Sequence, residues 1–368
     1  MFFRILRDQL FPLLKMAVSV VGRKQFFPIL NNVLVKVKDN TLHLTATDAE
    51  VEITCTIPLE PSLETSNEGE TTIPARKFYD FIKSVPKNAV ITVTEENERA
   101  TIKSGKSRLT LSCLPAQDFP NSVQVESILT FKLPQHTLKD LFTQTAFAMA
   151  TADVRYYLNG VLLDLMANKL VVVATNGHRL ALATELLETR EHTPIQVIIP
   201  RKAVVELTRV LDNSDNEVEI FIDNTYIKIA ISNTLAISSK LIDGKFPDYQ
   251  GVLPANPDKK VSIDTASLKT SLSQLAASID AEYKIASIFI KNNRVIFAGK
   301  NRVALIECEV DYTGEELEIG FNVTYLQDAL NAITTSEVQI SFSNANSGFL
   351  IQPKGIDTIK YIVMPCRL

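Results

Sequence analysis

A short pattern that occurs three times constrains the architecture of this chain more than any other feature. A short apolar strand runs directly into an amphipathic helix in residues 73–82, 198–211 and 319–330. Phe78, Val204 and Val323 open the apolar stripes of these helices and are 126 and 119 residues apart. A repeat of that length is a domain. We therefore predict three tandem domains of one fold, at 1–125, 126–254 and 255–368.

Each third of the chain shows the same order of patterns. A helical pattern comes first, at residues 6–21, 135–149 and 265–279. Three strands follow, joined by Asn- or Asp-bearing links that suit short hairpins. The strand and helix of the threefold pattern come next, and further strands close the repeat. We predict an α+β fold, in which each domain packs two helices on antiparallel sheets of about seven strands. Pro12 interrupts the first helical pattern, which favours a helix start near Gln9 or a kink.

The composition is that of an ordinary globular protein. Of the 368 residues, 46% are hydrophobic and 22% are charged, with a formal net charge of -4. Binding to nucleic acid would therefore have to come from the local placement of Lys and Arg. The four cysteines stand alone, and Arg4, Arg7 and Asp8 interrupt the apolar N-terminus. We expect no disulfide framework, no signal peptide and no membrane span, and we expect a cytoplasmic location.

The sequence contains no recognisable catalytic or metal-binding motif. Only four histidines are present, and neither a nucleophile elbow nor a zinc-binding helix accompanies them. The segment Ser104-Gly-Lys-Ser107 lacks the first glycine of a phosphate loop, because position 100 is Ala100. His178 lies in an Asn-Gly turn, where turn chemistry alone favours an exposed hairpin tip. We expect no catalytic residue, no metal and no cofactor.

Basic residues concentrate in the helical segments, whereas acidic residues concentrate in strands and loops. The pairs Arg76-Lys77 and Arg201-Lys202 both fall at helix starts, where exposed backbone N–H groups also favour anions. One such pair alone would be an ordinary solvated helix end. Because it recurs, and because the strands carry the acids, we predict that the helical surface holds a polyanion.

Several segments, in the right order along the whole chain, resemble the bacterial DNA polymerase III beta subunit family, the replicative sliding clamps. The most specific segments are Pro28-Ile-Leu30, Pro74-Ala-Arg-Lys-Phe78, Asp153-Val-Arg-Tyr-Tyr-Leu-Asn-Gly160, Ala174-Thr-Asn-Gly-His-Arg-Leu180, Pro200-Arg-Lys202, Asp243-Gly-Lys-Phe-Pro-Asp-Tyr249, Ile319-Gly-Phe-Asn322 and Met364-Pro-Cys-Arg-Leu368. The resemblance implies a processivity factor without catalytic activity. It also implies a head-to-tail homodimer, whose six domains close a ring around double-stranded DNA with twelve helices facing the hole.

The resemblance also assigns roles to particular residues. The expected DNA-binding residues are Lys24, Arg76, Lys77, Arg201 and Lys202. The dimer interface is expected to join the strand around Leu109 and Leu111 to the helix near Leu275 and Ile279. In such a ring the DNA is retained by topology, so weak phosphate contacts that ignore base sequence allow sliding.

A second site implied by the resemblance is an apolar cleft for short linear peptides. Its expected partners are the DNA polymerase III catalytic subunit, the clamp loader, other polymerases and repair proteins. The expected peptide-binding residues are Leu158, Thr175, Gly177, His178, Arg179, Leu180, Pro247, Val252, Ile362, Val363, Met364, Pro365, Arg367 and Leu368. Gly251 and Cys366 depart from the family pattern, which predicts a changed rim and a changed peptide preference.

Two alternatives belong to other functional classes. One is a metal-dependent DNA-processing enzyme with an unrecognised carboxylate site. The other is a peptide-binding scaffold that has no role on DNA. Charge reversal of Arg76, Lys77, Arg201 and Lys202 would separate the scaffold from the clamp, because only the clamp should lose processivity.

Overall fold

The computed structural model describes residues 1–22, 27–60, 63, 67–187, 194–254, 257–279, 284–291, 293–299 and 305–367. These ranges contain six α-helices and 24 β-strands. The strand pairs between them are antiparallel. The predicted α+β class and the threefold repeat are therefore confirmed, since the same order of elements occurs three times.

Each repeat contains eight strands and two helices in one order. The first repeat comprises β1 (Phe2–Leu6), α1 (Arg7–Ser19), β2 (Asn32–Lys38), β3 (Thr41–Thr47), β4 (Val51–Pro58), β5 (Gly69–Pro74), α2 (Ala75–Ser84), β6 (Val90–Glu96), β7 (Arg99–Ser104) and β8 (Ser107–Ser112). The second comprises β9 (Leu129–Pro134), α3 (Gln135–Thr145), β10 (Gly160–Met166), β11 (Lys169–Thr175), β12 (Arg179–Leu186), β13 (Ile195–Pro200), α4 (Arg201–Val210), β14 (Glu217–Ile222), β15 (Tyr226–Ser232) and β16 (Leu235–Lys240). The third comprises β17 (Lys259–Asp264), α5 (Thr265–Ser278), β18 (Ile285–Lys291), β19 (Arg294–Gly299), β20 (Leu305–Glu309), β21 (Leu317–Asn322), α6 (Val323–Ala332), β22 (Glu337–Phe342), β23 (Phe349–Pro353) and β24 (Ile359–Val363).

Each repeat has one strand more than the roughly seven predicted, and the additional strand is the one that precedes the first helix. In β1, Phe3 and Ile5 are buried and alternate with less buried neighbours. β1 pairs with β6, and β9 and β17 pair in the same way with β14 and β22. The prediction of about seven strands was one short, because a strand of five or six residues running into a helix gives only two or three alternations.

Helix α1 begins at Arg7, so Pro12 lies in its interior and not in its opening turn. An interior proline costs about 3 kcal/mol, because it removes one hydrogen bond and its ring meets the preceding turn. Leu10, Leu14 and Ala17 have no exposed surface. Their burial offsets the cost, and the helix runs through the proline.

The chain forms two compact units, residues 1–139 with 205–241 and residues 140–204 with 242–368. Unit 1 contains an eight-stranded sheet in the order β5-β2-β3-β4-β16-β15-β14-β9 and a four-stranded sheet in the order β1-β6-β7-β8. Unit 2 contains the equivalent sheets, β13-β10-β11-β12-β24-β23-β22-β17 and β20-β19-β18-β21. Helix α1 packs against α2 in unit 1, and α5 packs against α6 in unit 2.

The sheets divide every repeat into two halves. The four strands between the two helices form what we call the meander half, which is β2 to β5 in the first repeat. The other four strands, β1 and β6 to β8 in the first repeat, form what we call the ribbon half. The meander half of the first repeat joins the ribbon half of the second through β4 and β16. The meander half of the second joins the ribbon half of the third through β12 and β24. Among the described strands, β8 is equivalent to β16 and β24, and β20 is equivalent to β4 and β12, but each ends a four-stranded sheet and has no such partner.

Candidate functional site

A cleft of about 210 Å³ opens in unit 2 beside the junction of β12 and β24. Leu180 on β12 pairs with Ile362 on β24, and both side chains are buried in one apolar cluster. Phe246 and Tyr249 belong to the same cluster and approach it from the segment that follows β16. The floor of the cleft is therefore apolar, which suits the side chains of a small ligand or a short peptide.

Nine of the fourteen expected peptide-binding residues line this one cleft. They are Leu158, Thr175, Gly177, Arg179, Leu180, Pro247, Val252, Ile362 and Met364. His178, Val363, Pro365 and Arg367 are not among its lining residues, and Leu368 lies outside the described residues. Val363 is a buried core residue, whereas His178 and Arg367 are exposed.

Five lining residues were missed by the sequence analysis. They are Arg155, Tyr157, Phe246, Asp248 and Tyr249. All five lie within the two family segments 153–160 and 243–249, so the segments themselves were the signal. Their side-chain types gave no separate indication, because aromatic residues in such positions more often belong to a core, and Arg155 and Asp248 are of types common on any protein surface.

The turn between β11 and β12 forms one wall of the cleft. The Thr175 hydroxyl donates to the backbone oxygen of Arg179 at 2.6 Å and accepts from the amide of Gly177 at 3.1 Å. The Asn176 side chain accepts from the amide of Arg179 at 3.1 Å. Gly177 has a φ of +86°, and an added Cβ would lie 3.0 Å from a guanidinium nitrogen of Arg155. The positive φ therefore favours glycine here, although Ala49 adopts a φ of 76° at the equivalent position of the first repeat.

Arg155 is held at the rim of the cleft by Asp153. Its guanidinium donates to the two carboxylate oxygens at 3.0 and 2.9 Å. These hydrogen bonds, with one from the backbone amide of Arg155, lower the pKa of Asp153 to about 2. The pair is solvent-exposed, so it orients the arginine more than it stabilises the fold.

The Arg179 guanidinium is engaged inside the protein. It forms an ion pair with Asp328 on α6 and donates to the backbone oxygen of Phe147. It also lies 4.7 Å from the ring centre of Tyr325, against which His178 stacks. Arg179 therefore ties the cleft wall to α6, and its contribution to the cleft is positional.

A buried polar pair supports the cleft from below. The Tyr249 hydroxyl donates to a carboxylate oxygen of Asp164 at 2.7 Å, and both residues are buried. Burial is the main cause that raises the pKa of Tyr249 to about 12. Because Asp164 lies on β10, this hydrogen bond fixes the segment after Pro247 to the sheet.

Two backbone hydrogen bonds attach the C-terminal residues to the rest of unit 2. The amide of Met364 donates to the backbone oxygen of His178 at 2.9 Å, and the amide of Cys366 donates to that of Gly320 at 2.8 Å. Burial raises the pKa of the half-buried Cys366 thiol. The other departure from the family pattern, Gly251, is exposed and donates its amide to Asp248.

The four described residues of the expected DNA-binding set all lie in first helical turns. Arg76 and Lys77 are exposed on α2, and Arg76 shares a groove with Lys15 of α1. Arg76 also donates to the backbone oxygen of Val21 at 2.9 Å. Arg201 and Lys202 are half-buried at the start of α4. Lys24 lies outside the described residues.

The expected dimer residues differ in exposure. Leu109 is partly exposed on β8, and Leu111 on the same face is 6% exposed. Leu275 has no exposed surface, because the apolar stripe of α5 packs it into the interior of unit 2. Ile279 follows the end of α5 and is half-buried. Of the two helix positions, only Ile279 presents surface.

Within the described ranges, no group of three or more His, Cys, Asp and Glu side chains is arranged to hold a metal ion. All four cysteines are free thiols. No α-helix among the described residues has the length and apolar character needed to cross a bilayer.

Comparison with known proteins identifies the family. Models of the N-terminal, central and C-terminal domains of the DNA polymerase III beta subunit match residues 1–123, 132–248 and 250–367. The beta sliding clamps of Pseudomonas putida and Escherichia coli K12 are 41% and 38% identical, over 100% of both chains in each case. The DNA polymerase III subunit beta of Pseudomonas aeruginosa has a structure 40% identical to this chain, with a TM-score of 0.96 over 100% of both chains.

Another structure of the Pseudomonas aeruginosa sliding clamp, bound to griselimycin, is also 40% identical over 100% of both chains, with a TM-score of 0.95. The chain therefore belongs to the DNA polymerase III beta subunit family, the bacterial sliding clamps. Membership confirms the resemblance, and it confirms the prediction of a non-catalytic polymerase subunit.

Proposed function

We propose that this chain acts as a head-to-tail dimer, a six-domain ring that encircles duplex DNA in the cell interior and tethers polymerases to it. Family membership supports the role of processivity factor. The domains we propose remain 1–125, 126–254 and 255–368, and the threefold order of elements supports this division. The metal-dependent enzyme and the DNA-independent scaffold are not favoured by the family.

The proposal of a closed ring rests on the way in which consecutive repeats share sheets. Every meander half that is followed by another repeat joins the ribbon half of that repeat. This leaves the ribbon half of the first repeat, with edge β8, and the meander half of the third, with edge β20. These two halves are the kinds that pair at the other junctions. Two chains arranged head to tail would form two such junctions, each between β8 of one chain and β20 of the other, and the ring would close.

The internal repeat also predicts the register of this junction. Counting along the paired strands, Leu305 on β20 takes the place of Thr54 on β4, which pairs with Ala236. Arg108 on β8 takes the place of Ala236, because both are paired with equivalent residues of the preceding strand. Leu305 should therefore lie opposite the partner subunit's Arg108. Leu305 is 54% exposed in the single chain, and the junction would remove part of that apolar surface from water.

Disulfide cross-linking tests this register. The variant Arg108→Cys/Leu305→Cys should form a covalent dimer on oxidation, seen by electrophoresis without reductant, because opposite residues of antiparallel strands bring their Cβ atoms close. Leu109→Cys/Leu305→Cys is the matched control. A shift of one residue turns the side chain to the other face, so this variant should stay uncrosslinked. Equal cross-linking of both variants, or of neither, would refute the register.

The basic helix starts support DNA binding without base recognition. Arg76 and Lys77 are exposed, and both lie at a helix N-terminus that already favours phosphate. Such contacts are weak and sequence-independent, so the ring slides while its closure prevents loss. Arg76→Glu/Lys77→Glu should shorten processive synthesis, whereas Lys38→Glu/Lys103→Glu, an equal charge change on exposed strand residues, should not.

An assay of retention on DNA distinguishes a closed ring, which is held by topology, from a protein that binds DNA by direct affinity. After loading on nicked circular plasmid by a compatible clamp loader with ATP, the protein should remain bound until the plasmid is cut once. Release on linearisation is the expected result. Persistent binding to the linear form would mean direct affinity and would contradict the sliding ring.

The apolar cleft in unit 2 supports the recognition of short linear peptides. We propose that it takes peptides of the DNA polymerase III catalytic subunit, the clamp loader, other polymerases and repair proteins, and that griselimycin occupies the same cleft. Val252→Glu at the rim should weaken griselimycin binding in a calorimetric titration. Val205→Glu is the matched control, because both valines are 40% exposed and Val205 lies on α4.

Deletion of residues 364–368 tests the role of the C-terminus. It should abolish the binding of a labelled polymerase peptide in fluorescence anisotropy and leave the dimer intact, because Met364 lines the cleft and no deleted residue lies on β8 or β20. Undiminished peptide affinity would refute the assignment.

A further inference from the structure

Unit 1 contains a second cleft at the place equivalent to the apolar cleft of unit 2. Its volume is about 240 Å³, and it lies beside the junction of β4 and β16. The apolar cleft lies beside the junction of β12 and β24. In both, one wall is the segment that follows a Phe-Pro pair, at residues 122–125 in unit 1 and around 248–252 in unit 2.

Strand registers establish which residues correspond. Thr47 pairs with Glu52 as Thr175 pairs with Leu180, and the turns before the two strands have the same hydrogen bonds. Glu52 and Leu180 are therefore equivalent. The same reasoning extends across the sheet, because Glu52 pairs with Ser238 as Leu180 pairs with Ile362.

One more strand completes the set. Ser238 pairs with Lys228 on β15, and Ile362 pairs with Leu350 on β23. Three adjacent positions that are leucine, isoleucine and leucine in unit 2 are thus glutamate, serine and lysine in unit 1. All three polar residues line the second cleft.

The chemistry of the two clefts is consequently opposite. Glu52 is 4% exposed, and its carboxylate accepts from the backbone amide of Val123 in the wall segment at 3.3 Å. An apolar side chain entering here would remove water from a carboxylate and an ammonium group and would give them no new partner. The same side chain entering the cleft of unit 2 would meet Leu180 and Ile362.

We infer that Glu52, Ser238 and Lys228 are specificity determinants that exclude apolar peptide ligands from unit 1 and confine them to the cleft of unit 2. The inference rests on the proposed role of the unit 2 cleft. Each chain then offers one apolar docking site, although its repeats provide two junctions of the same architecture. The three side chains exclude the ligand by their polarity, since the space itself is present.

The test converts the polar cleft into an apolar one. The full-length variant Glu52→Leu/Ser238→Ile/Lys228→Leu is titrated with griselimycin in a calorimeter beside the unaltered chain. We expect a second binding event per chain in the variant only. Glu52→Gln/Ser238→Thr/Lys228→Gln is the matched control, which keeps the cleft polar and should show a single event. A folded apolar variant with a single event would overturn the inference.

The reverse exchange provides a second measurement that does not require the first variant to fold. Leu350→Lys places the polar side chain at the equivalent position beneath the unit 2 cleft and should weaken griselimycin binding by at least about 100-fold. Unchanged binding by a folded Leu350→Lys chain would also overturn the inference. If the unaltered chain fails to bind griselimycin, the proposed cleft function fails instead, which is a different result from a missing second event.

Discussion

Replacement of Glu52 by glutamine isolates the energetic effect of one buried carboxylate in unit 1. Burial raises the pKa of Glu52 from 4.5 to about 7. The amide of Val123 and the ammonium of Lys228, facing it from the wall segment and from β15, oppose this rise only in part. A change of that size between the unfolded and folded states corresponds to roughly 3 kcal/mol.

The direction of the pH effect on the unfolding free energy follows from the fact that the folded state binds the proton of Glu52 more tightly than the unfolded state does. Below pH 4.5 the carboxyl is protonated in both states, so its full contribution to stability is present. As the pH rises through 7, the folded protein must ionise a group that prefers to stay neutral, and that contribution is lost. Relative to Glu52→Gln, the unaltered chain should therefore lose roughly 3 kcal/mol of unfolding free energy between pH 4.5 and pH 8.

Urea unfolding followed by circular dichroism at several pH values measures this difference. Other carboxylates, such as Asp153 with its lowered pKa, titrate in both proteins and cancel in the comparison. Amide hydrogen exchange at Val123 adds a local measurement, since this amide donates to Glu52. Parallel stability profiles for the two proteins would refute the reasoning.

Three further predictions concern the cleft and its support. Gly160→Ala should lower the unfolding free energy by about 1–3 kcal/mol, because the new Cβ would lie 2.4 Å from the backbone oxygen of Ile199; thermal melting measures it. Tyr249→Phe should cost about 1–3 kcal/mol by leaving Asp164 without its hydroxyl partner, and Asp164→Asn in addition should recover part of the loss in urea unfolding. Gly177→Ala should cost about 1–2 kcal/mol through its positive φ and should weaken griselimycin binding in calorimetry.

The local elements could be predicted because the spacing of apolar residues along the chain follows which side chains are buried. The stripe Leu268, Leu272 and Leu275 predicts one face of a helix, and all three side chains have no exposed surface in α5. The hairpin links were predictable for a similar reason. Asp39 and Asn40 adopt the positive φ values of 48° and 55° that short hairpins require.

The cleft was predictable only in part. Turn residues such as Thr175 and Gly177 stand in a continuous motif, so the resemblance could assign them. The role of Arg179 could not be read in this way, because its partner Asp328 is 149 residues distant. The support of Tyr249 by Asp164 was equally hidden, since neither residue type indicates a buried pair by itself.

The sequence by itself determined the number of repeats, the order of helices and strands within them, and the family. Those properties depend on neighbouring residues, whose alternation or helical spacing fixes which face is buried. Only the tertiary structure decided that each repeat divides between two sheets and that Glu52 stands where Leu180 stands in the next junction. Strand partners more than a hundred residues apart are selected by hydrogen-bond register and side-chain packing, and periodicity within one strand carries no information about which distant strand will lie beside it.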